Sequence, residues 1–283
     1  MIQALDHVVV AAPALDPAIA CYETLLGRAP VGRARCDGVD RAWFRLANVT
    51  LCVVAPAGTG AAADRLRQWL KDREGLLALA FAVSDLERAK RLLERRAVSL
   101  GPDELVTAIA PDGATGDTLL AASNATHGVP IAFVERKDAP TTSVEPHGAG
   151  AHVSGLDHVV IRSPDPDRAV ALYGGRLGLD LRLDRSNPAW NARLLFFRCG
   201  DLVVEVAHDL NAGISHGPDR LWGLSWRVPR VSEARARLAA AGVPVSELRT
   251  GRRPGTQVFT VRSHAGGVPT LMIGPVDGAQ TDA

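Results

Sequence analysis

Two side chains able to hold a metal ion or move a proton lie on neighbouring apolar runs of the sequence: His158 in LDHVVI and Glu205 in FFRCGDLVVEVAHDL. An imidazole and a carboxylate suit divalent zinc, nickel, manganese or iron, and either group can serve as a general acid or base. To work together they must share one face of a sheet. The β-branched residues after His158 and the alternation around Glu205 read as strands, whose period of two pairs His158 with Val160 and Val203 with Glu205. His208, His216 and His264 are candidates for a third ligand. The alternative is a metal-free couple, with Glu205 hydrogen-bonded to His158 or to an arginine.

Other residues could bind a substrate. The segment RTGRRPGT brings Arg249, Arg252 and Arg253 together beside two glycines, a pattern that clamps a carboxylate or phosphate or else forms a solvated hairpin loop. Trp190, in the loop SNPAWNAR, is placed to cover a ligand. Alternation groups Trp226 with Trp222 and Leu224 on a face that packs under a helix. His7 and Cys52 could form a soft site, or a strand histidine beside a small core thiol. There is no nucleophile elbow, Rossmann fingerprint or P-loop.

The elements that must position these residues recur. LDHVVV at Leu5–Val10 repeats as LDHVVI at Leu156–Ile161, and FRLANVTLCVV at Phe44 repeats as FRCGDLVVEVA at Phe197. His7 and His158 are 151 positions apart, and Phe44 and Phe197 are 153 apart, so the repeats differ by two residues of loop. In each, a strand leads to a helix and then to three short strands. Asp16 and Pro17 open the first helix, which Gly27 stops, and Asp165 and Pro166 open its counterpart. A second pair, LLALAFAVSDLERAKRLLERR and LWGLSWRVPRVSEARARLAAAG, repeats the strand-to-helix step, with Ser84 and Asp85 as caps in the first. The first of these modules reads as loop-rich after its helix. The chain therefore has four βαβββ modules: an N-terminal domain over 1–136, a Pro/Gly/Ser/Thr-rich linker over 137–154, a C-terminal domain over 155–275 and a tail over 276–283.

Composition narrows the partners. Lys and Arg number 32 against 31 Asp and Glu, a net charge of +1, which gives no broad field for nucleic acid or an anionic membrane. A small molecule is the expected ligand, and a homodimer is open. Four cysteines without CxxC spacing suit reduced thiols in the cytoplasm, and neither a signal peptide nor a membrane span is legible.

Four βαβββ modules in two pairs, opened by LDHVVV and LDHVVI, resemble the vicinal oxygen chelate superfamily, which includes glyoxalase I, extradiol dioxygenases and bleomycin- and fosfomycin-resistance proteins. The resemblance implies an α+β fold of two cup-shaped domains, with ligands to a divalent metal coming from the first and last strands of the modules. At those positions the chain has His7 and Cys52, Ala78 and Ala132, His158 and Glu205, and Gly223 and Leu271. Only the third pair is complete, so His158 and Glu205 are the expected metal-binding and catalytic residues. The implied activity is metal-assisted stabilisation of an enolate or oxyanion of a small oxygen-chelating substrate, whose acidic end Arg249, Arg252 and Arg253 would hold. The alternatives are a metal-free sequestration protein of the bleomycin-resistance type and an extradiol-type dioxygenase.

Overall fold

The computed structural model describes residues 1–109, 115–136, 151–262 and 266–276, with 102–109 and 115–117 known by backbone alone. His264, most of the expected linker and all but the first residue of the tail lie outside the described residues. Module one consists of β1 (Ile2–Ala11), α1 (Leu15–Leu26), β2 (Gly32–Cys36), β3 (Val39–Arg45) and β4 (Thr50–Pro56). After α2 (Ala61–Leu70), module two follows as β5 (Gly75–Val83), α3 (Leu86–Arg95), β6 (Leu100–Ile109), β7 (Thr115–Ala121) and β8 (Ile131–Glu135). Module three has β9 (Gly155–Arg162), α4 (Pro166–Ala169), β10 (Asp180–Asn187), β11 (Ala192–Cys199) and β12 (Leu202–Asp209). Module four has β13 (Arg220–Arg227), α5 (Val231–Ala240), β14 (Arg249–Thr250), β15 (Thr256–Val261) and β16 (Thr270–Pro275). The βαβββ pattern holds in all four.

The strands form two eight-stranded sheets with the same order, β2-β3-β4-β1-β5-β8-β7-β6 and β10-β11-β12-β9-β13-β16-β15-β14. Within modules the first and last strands pair in parallel, as in β9 with β12 and β13 with β16, whereas the hairpins between them are antiparallel. By packing, the chain divides differently, into two compact units. One holds the start of β1 with modules two and three, and the other holds the rest of module one with module four. In the first, Arg96 donates to the carbonyl of Arg176 and Arg176 to that of Ala97. In the second, Arg237 of α5 donates to the carbonyls of Thr24 and Leu25, so its guanidinium occupies the negative C-terminal end of α1.

Local chemistry explains most element boundaries. Asp85 caps α3 through the amide of Arg88, Asp165 caps α4 through the amide of Arg168, and Gly27 ends α1 at φ 74°. Asp16 is not a cap: α1 starts two residues earlier than expected, Ala14 is its N-cap, and Asp16 lies in the first turn bonded to Arg33. Module two is not loop-rich either, because β6 and β7 pair as an antiparallel hairpin. Charged and small residues interrupt the alternation of those strands (GPDE, TGD), which hides their period.

The helix of module three departs most from expectation. After one turn, α4 widens into a π-helical stretch over Val170–Arg176, where the amide of Leu177 bonds the carbonyl of Leu172 and Gly178 turns out at φ 77°. It buries Leu172 and Tyr173 against the sheet, with the Tyr173 and Phe197 rings 5.8 Å apart. The Tyr173 hydroxyl is buried and, among the described residues, has no hydrogen-bond partner. Its phenol is held well above the usual tyrosine range by burial and, secondarily, by the Asp219 charge. An unpaired buried hydroxyl costs about 1–3 kcal/mol, whereas truncating a packed ring costs about 3–5 kcal/mol. Tyr173→Phe is therefore expected to keep or raise the urea midpoint, and Phe197→Ala to lower stability by about 3–5 kcal/mol in the same titration.

Candidate functional site

The register of module three separates its two faces. Val203 lies beside His158 and Glu205 beside Val160 in the parallel β9–β12 ladder, while Phe196 opposes Glu205 across β11. His158, Val160, Arg162, Phe196, Val203, Glu205 and Ala207 therefore project to one face. The opposite face carries Val159, Ile161, Phe197, Val204 and Val206, which are fully buried, and the π-helical turn covers it through Tyr173. Helix cover on one side leaves the other side of the module for chemistry.

There His158 Nε2 approaches Glu205 Oε2 to 3.5 Å, with side chains 17% and 12% exposed. The two are neither sealed in the core nor loose in solvent. His208 cannot join them: it is odd-numbered steps from Glu205 along β12, on the helix face, where its Nδ1 donates to the carbonyl of Ser163. His216 is an exposed loop residue. Among the described residues no three His, Cys, Asp or Glu side chains gather as a metal cluster.

Behind the sheet lies a buried charge that sequence inspection missed. Asp219 Oδ1 accepts from Ser163 Oγ and from Arg168 Nη2, both at 2.7 Å, and Arg168 Nη2 also donates to the carbonyl of Gly217. The Asp219 side chain is completely buried. This cluster ties the loop between β12 and β13 to the start of α4.

The corresponding positions elsewhere show why they hold no such pair. On β1, His7 donates from Nδ1 to Asp6 Oδ2 at 2.6 Å, and Arg136 grips the same carboxylate with two bonds of 2.9 and 2.7 Å. Burial alone would raise the Asp6 carboxyl, but the bonds and charges of Arg136 and His7 outweigh it and hold the group well below the usual carboxylate range. Cys52 is a core residue of β4, its thiol pushed up to about 12 by burial, so it stays protonated. On β13, a Cβ at Gly223 would meet the carbonyl oxygen of Pro269 at 2.8 Å, so no ligand side chain fits there without moving backbone.

The predicted substrate residues are placed as follows. Arg249, on β14, donates to Thr260 Oγ1 and lines a shallow recess of about 340 Å³ with Ser246, Glu247, Thr260 and Arg262. Arg253 reaches Asp157 Oδ1 at 3.4 Å, and Arg252 is exposed in the loop before β15. Trp190 sits in a short 3-10 turn, 41% exposed, with the Arg185 guanidinium 5.6 Å from its ring centre. Trp226 is fully buried as expected, but Trp222 is 40% exposed and carries Arg162 over its ring at 4.4 Å. Of the residues that alternation groups on this face, Trp226 and Leu224 are packed and Trp222, near the start of the strand, is not. Arg162, four residues beyond His158 and on the same strand face, was the available signal.

The profile described as a glyoxalase-like domain matches residues 5–175, more than half of the sequence, and that of the glyoxalase/bleomycin resistance protein/dioxygenase superfamily matches 157–260. The chain belongs to this superfamily. No curated protein matches it. Among solved structures, this glyoxalase-like chain is similar to a mutant of 4-hydroxymandelate synthase from Streptomyces coelicolor, at 12% identity and TM-score 0.74, covering 99% of this chain and 94% of that one. It is also similar to the Mn(II)-bound glyoxalase from Novosphingobium aromaticivorans, at 15% identity and TM-score 0.66, covering 100% and 85%. A third is 2,2',3-trihydroxybiphenyl 1,2-dioxygenase from Sphingomonas wittichii strain RW1, at 19% identity and TM-score 0.65, covering 100% and 94%. What is shared at these identities is the fold.

Two outcomes follow for the incomplete positions. Gly223→Ala is expected to destabilise by about 1–3 kcal/mol in urea, as overpacking against backbone does. Because the Asp6 carboxyl is lower in the folded than in the unfolded chain, its ionised form stabilises the fold above about pH 4, and that contribution fades as pH falls below it. Asp6→Asn should thus be less stable than wild type near pH 7, with the gap narrowing in acid unfolding curves.

Proposed function

We propose that this glyoxalase-like protein is a metal-dependent enzyme acting on a small substrate with neighbouring oxygens, with His158 and Glu205 as its metal-binding and catalytic residues. The observation that carries the reading is the 3.5 Å approach of His158 Nε2 to Glu205 Oε2 on the open face of module three. Two atoms this far apart could both reach one ion through bonds of about 2.1 Å, so His158 and Glu205 would hold it. Zinc, nickel, manganese or iron all accept this donor set, and oxygens of water and substrate would complete it.

When bound, the ion supplies Lewis acidity to the substrate's paired oxygens. The rest falls to the chain. Glu205 takes a proton from a hydroxyl-bearing carbon beside a substrate carbonyl and returns it to the former carbonyl carbon, while the hydroxyl proton passes to the neighbouring oxygen, so that hydroxyl and carbonyl exchange places. His158 holds the carboxylate's position from the next strand. Val160 and Phe196, its neighbours across the ladder, keep water from the developing charge. Arg249, Arg252 and Arg253 remain proposed substrate-binding residues, and a cytoplasmic location belongs to the same proposal.

A second reading is a metal-free binding protein. Its support is the absence, among the described residues, of a third ligand beside the pair, together with the close approach of backbone at Gly223. Metal analysis of untagged protein separates the two. The enzyme reading expects about one divalent ion per chain, lost in His158→Ala and in Glu205→Gln. No bound metal in the wild type, even after reloading with each of the four ions, would sink it and leave the binding protein.

A further inference from the structure

In module three Arg193 holds Asp184 and Asp167, Arg168 holds Asp219 and Arg182 holds Asp180, whereas Arg176 and Arg198 donate to backbone carbonyls. Among the described residues neither Arg162 nor Arg185 reaches a carboxylate, and each lies over an indole instead, Arg162 over Trp222 at 4.4 Å and Arg185 over Trp190 at 5.6 Å. Stacking holds a guanidinium without using its N–H groups, which are left for a planar anion.

The ladder places both arginines on the face of Glu205. Arg185 opposes Leu194, Leu194 opposes Ala207, and Ala207 lies beside Arg162, which makes one row across four strands. The next row is Leu183, Phe196, Glu205 and Val160. Glu205 is thus set in an apolar strip with a cation at each end of the neighbouring row. With strands about 4.8 Å apart and about 6.6 Å per two residues, the Cα of Arg162 is about 8 Å from that of Glu205, and the Cα of Arg185 about 12 Å. Leu183, Trp190 and Trp222 are left exposed around this strip, large apolar groups that a ligand would cover.

We infer that this face takes an aromatic carboxylate, its anionic end forked on Arg162 and its ring over Phe196 and Leu183, so that Glu205 lies beneath the carbons between them. The inference rests on the reading of this face as the substrate site and adds the class of substrate. Arg162, rather than the arginines after Arg249, then holds the acidic group.

The probes are 2-naphthoate and its uncharged amide, titrated by calorimetry against wild type, Arg162→Met, Arg162→Lys and Arg185→Met, each checked for native near-ultraviolet dichroism. Wild type should bind naphthoate about tenfold more tightly than the amide. Arg162→Met should erase that preference while leaving the amide's affinity unchanged, and Arg162→Lys should restore part of it. Arg185→Met should keep it. Equal binding of the two probes by wild type, no saturation of either by millimolar concentrations, or a preference that survives Arg162→Met would overturn the inference. The preference can hold in protein that carries no metal, and it can be absent in protein that carries one. Its failure is therefore distinct from failure of the metal reading.

Discussion

The parallel pairing of β9 with β12 is the interaction on which the site depends. These strands open and close module three, and some forty residues of helix and hairpin separate them in sequence. A parallel neighbour cannot be reached by a tight turn, so the chain must leave the sheet, cross one face as a helix and return. That crossing covers Val159, Val204 and Val206 and leaves His158, Val160, Val203 and Glu205 on the other side. A slip of one residue in this register would bury Glu205 under Tyr173 and expose Val204 and Val206 in its place. Hydrophobic burial on one face thus holds His158 and Glu205 together on the other.

The four modules share this geometry and differ in what it presents. Module one uses its strand histidine in a short bond to Asp6, a carboxylate already gripped by Arg136, and fills its last-strand position with a buried thiol. Module two has alanines at both positions. In module four the chain passes so near Gly223 that backbone occupies the space of a side chain. Three copies of the scaffold therefore contribute packing, while the third module alone keeps an imidazole and a carboxylate on the open face.

The architecture was legible because two signals agreed over long stretches: near-identical strand segments about 150 residues apart, and a strand-to-helix change of period in every copy. The placing of His158 with Glu205 was expected from the family resemblance, because alternation sorts the residues of each strand into two faces but does not say which faces of two strands coincide. Other features were not legible for identifiable reasons. The β6–β7 hairpin lacks a clean alternation, and the π-helical stretch around Gly174 and Gly175 has the same apolar spacing as an α-helix over so few residues. The grip of Arg136 on Asp6 and of Arg168 on Asp219 joins residues 130 and 51 positions apart, for which a single sequence offers no pattern.

The buried Asp219 has a consequence for the open face. It sits three residues before Trp222, and its bonds to Ser163 and Arg168 fix the incoming chain at the point where β13 begins. The indole that carries Arg162 is thus mounted on backbone whose freedom was surrendered during folding. A loop ordered only on contact would subtract its lost entropy from every ligand's affinity, a cost that bonds already made in the fold reduce. The chain sets the stiffness of one face with a charge hidden behind the other.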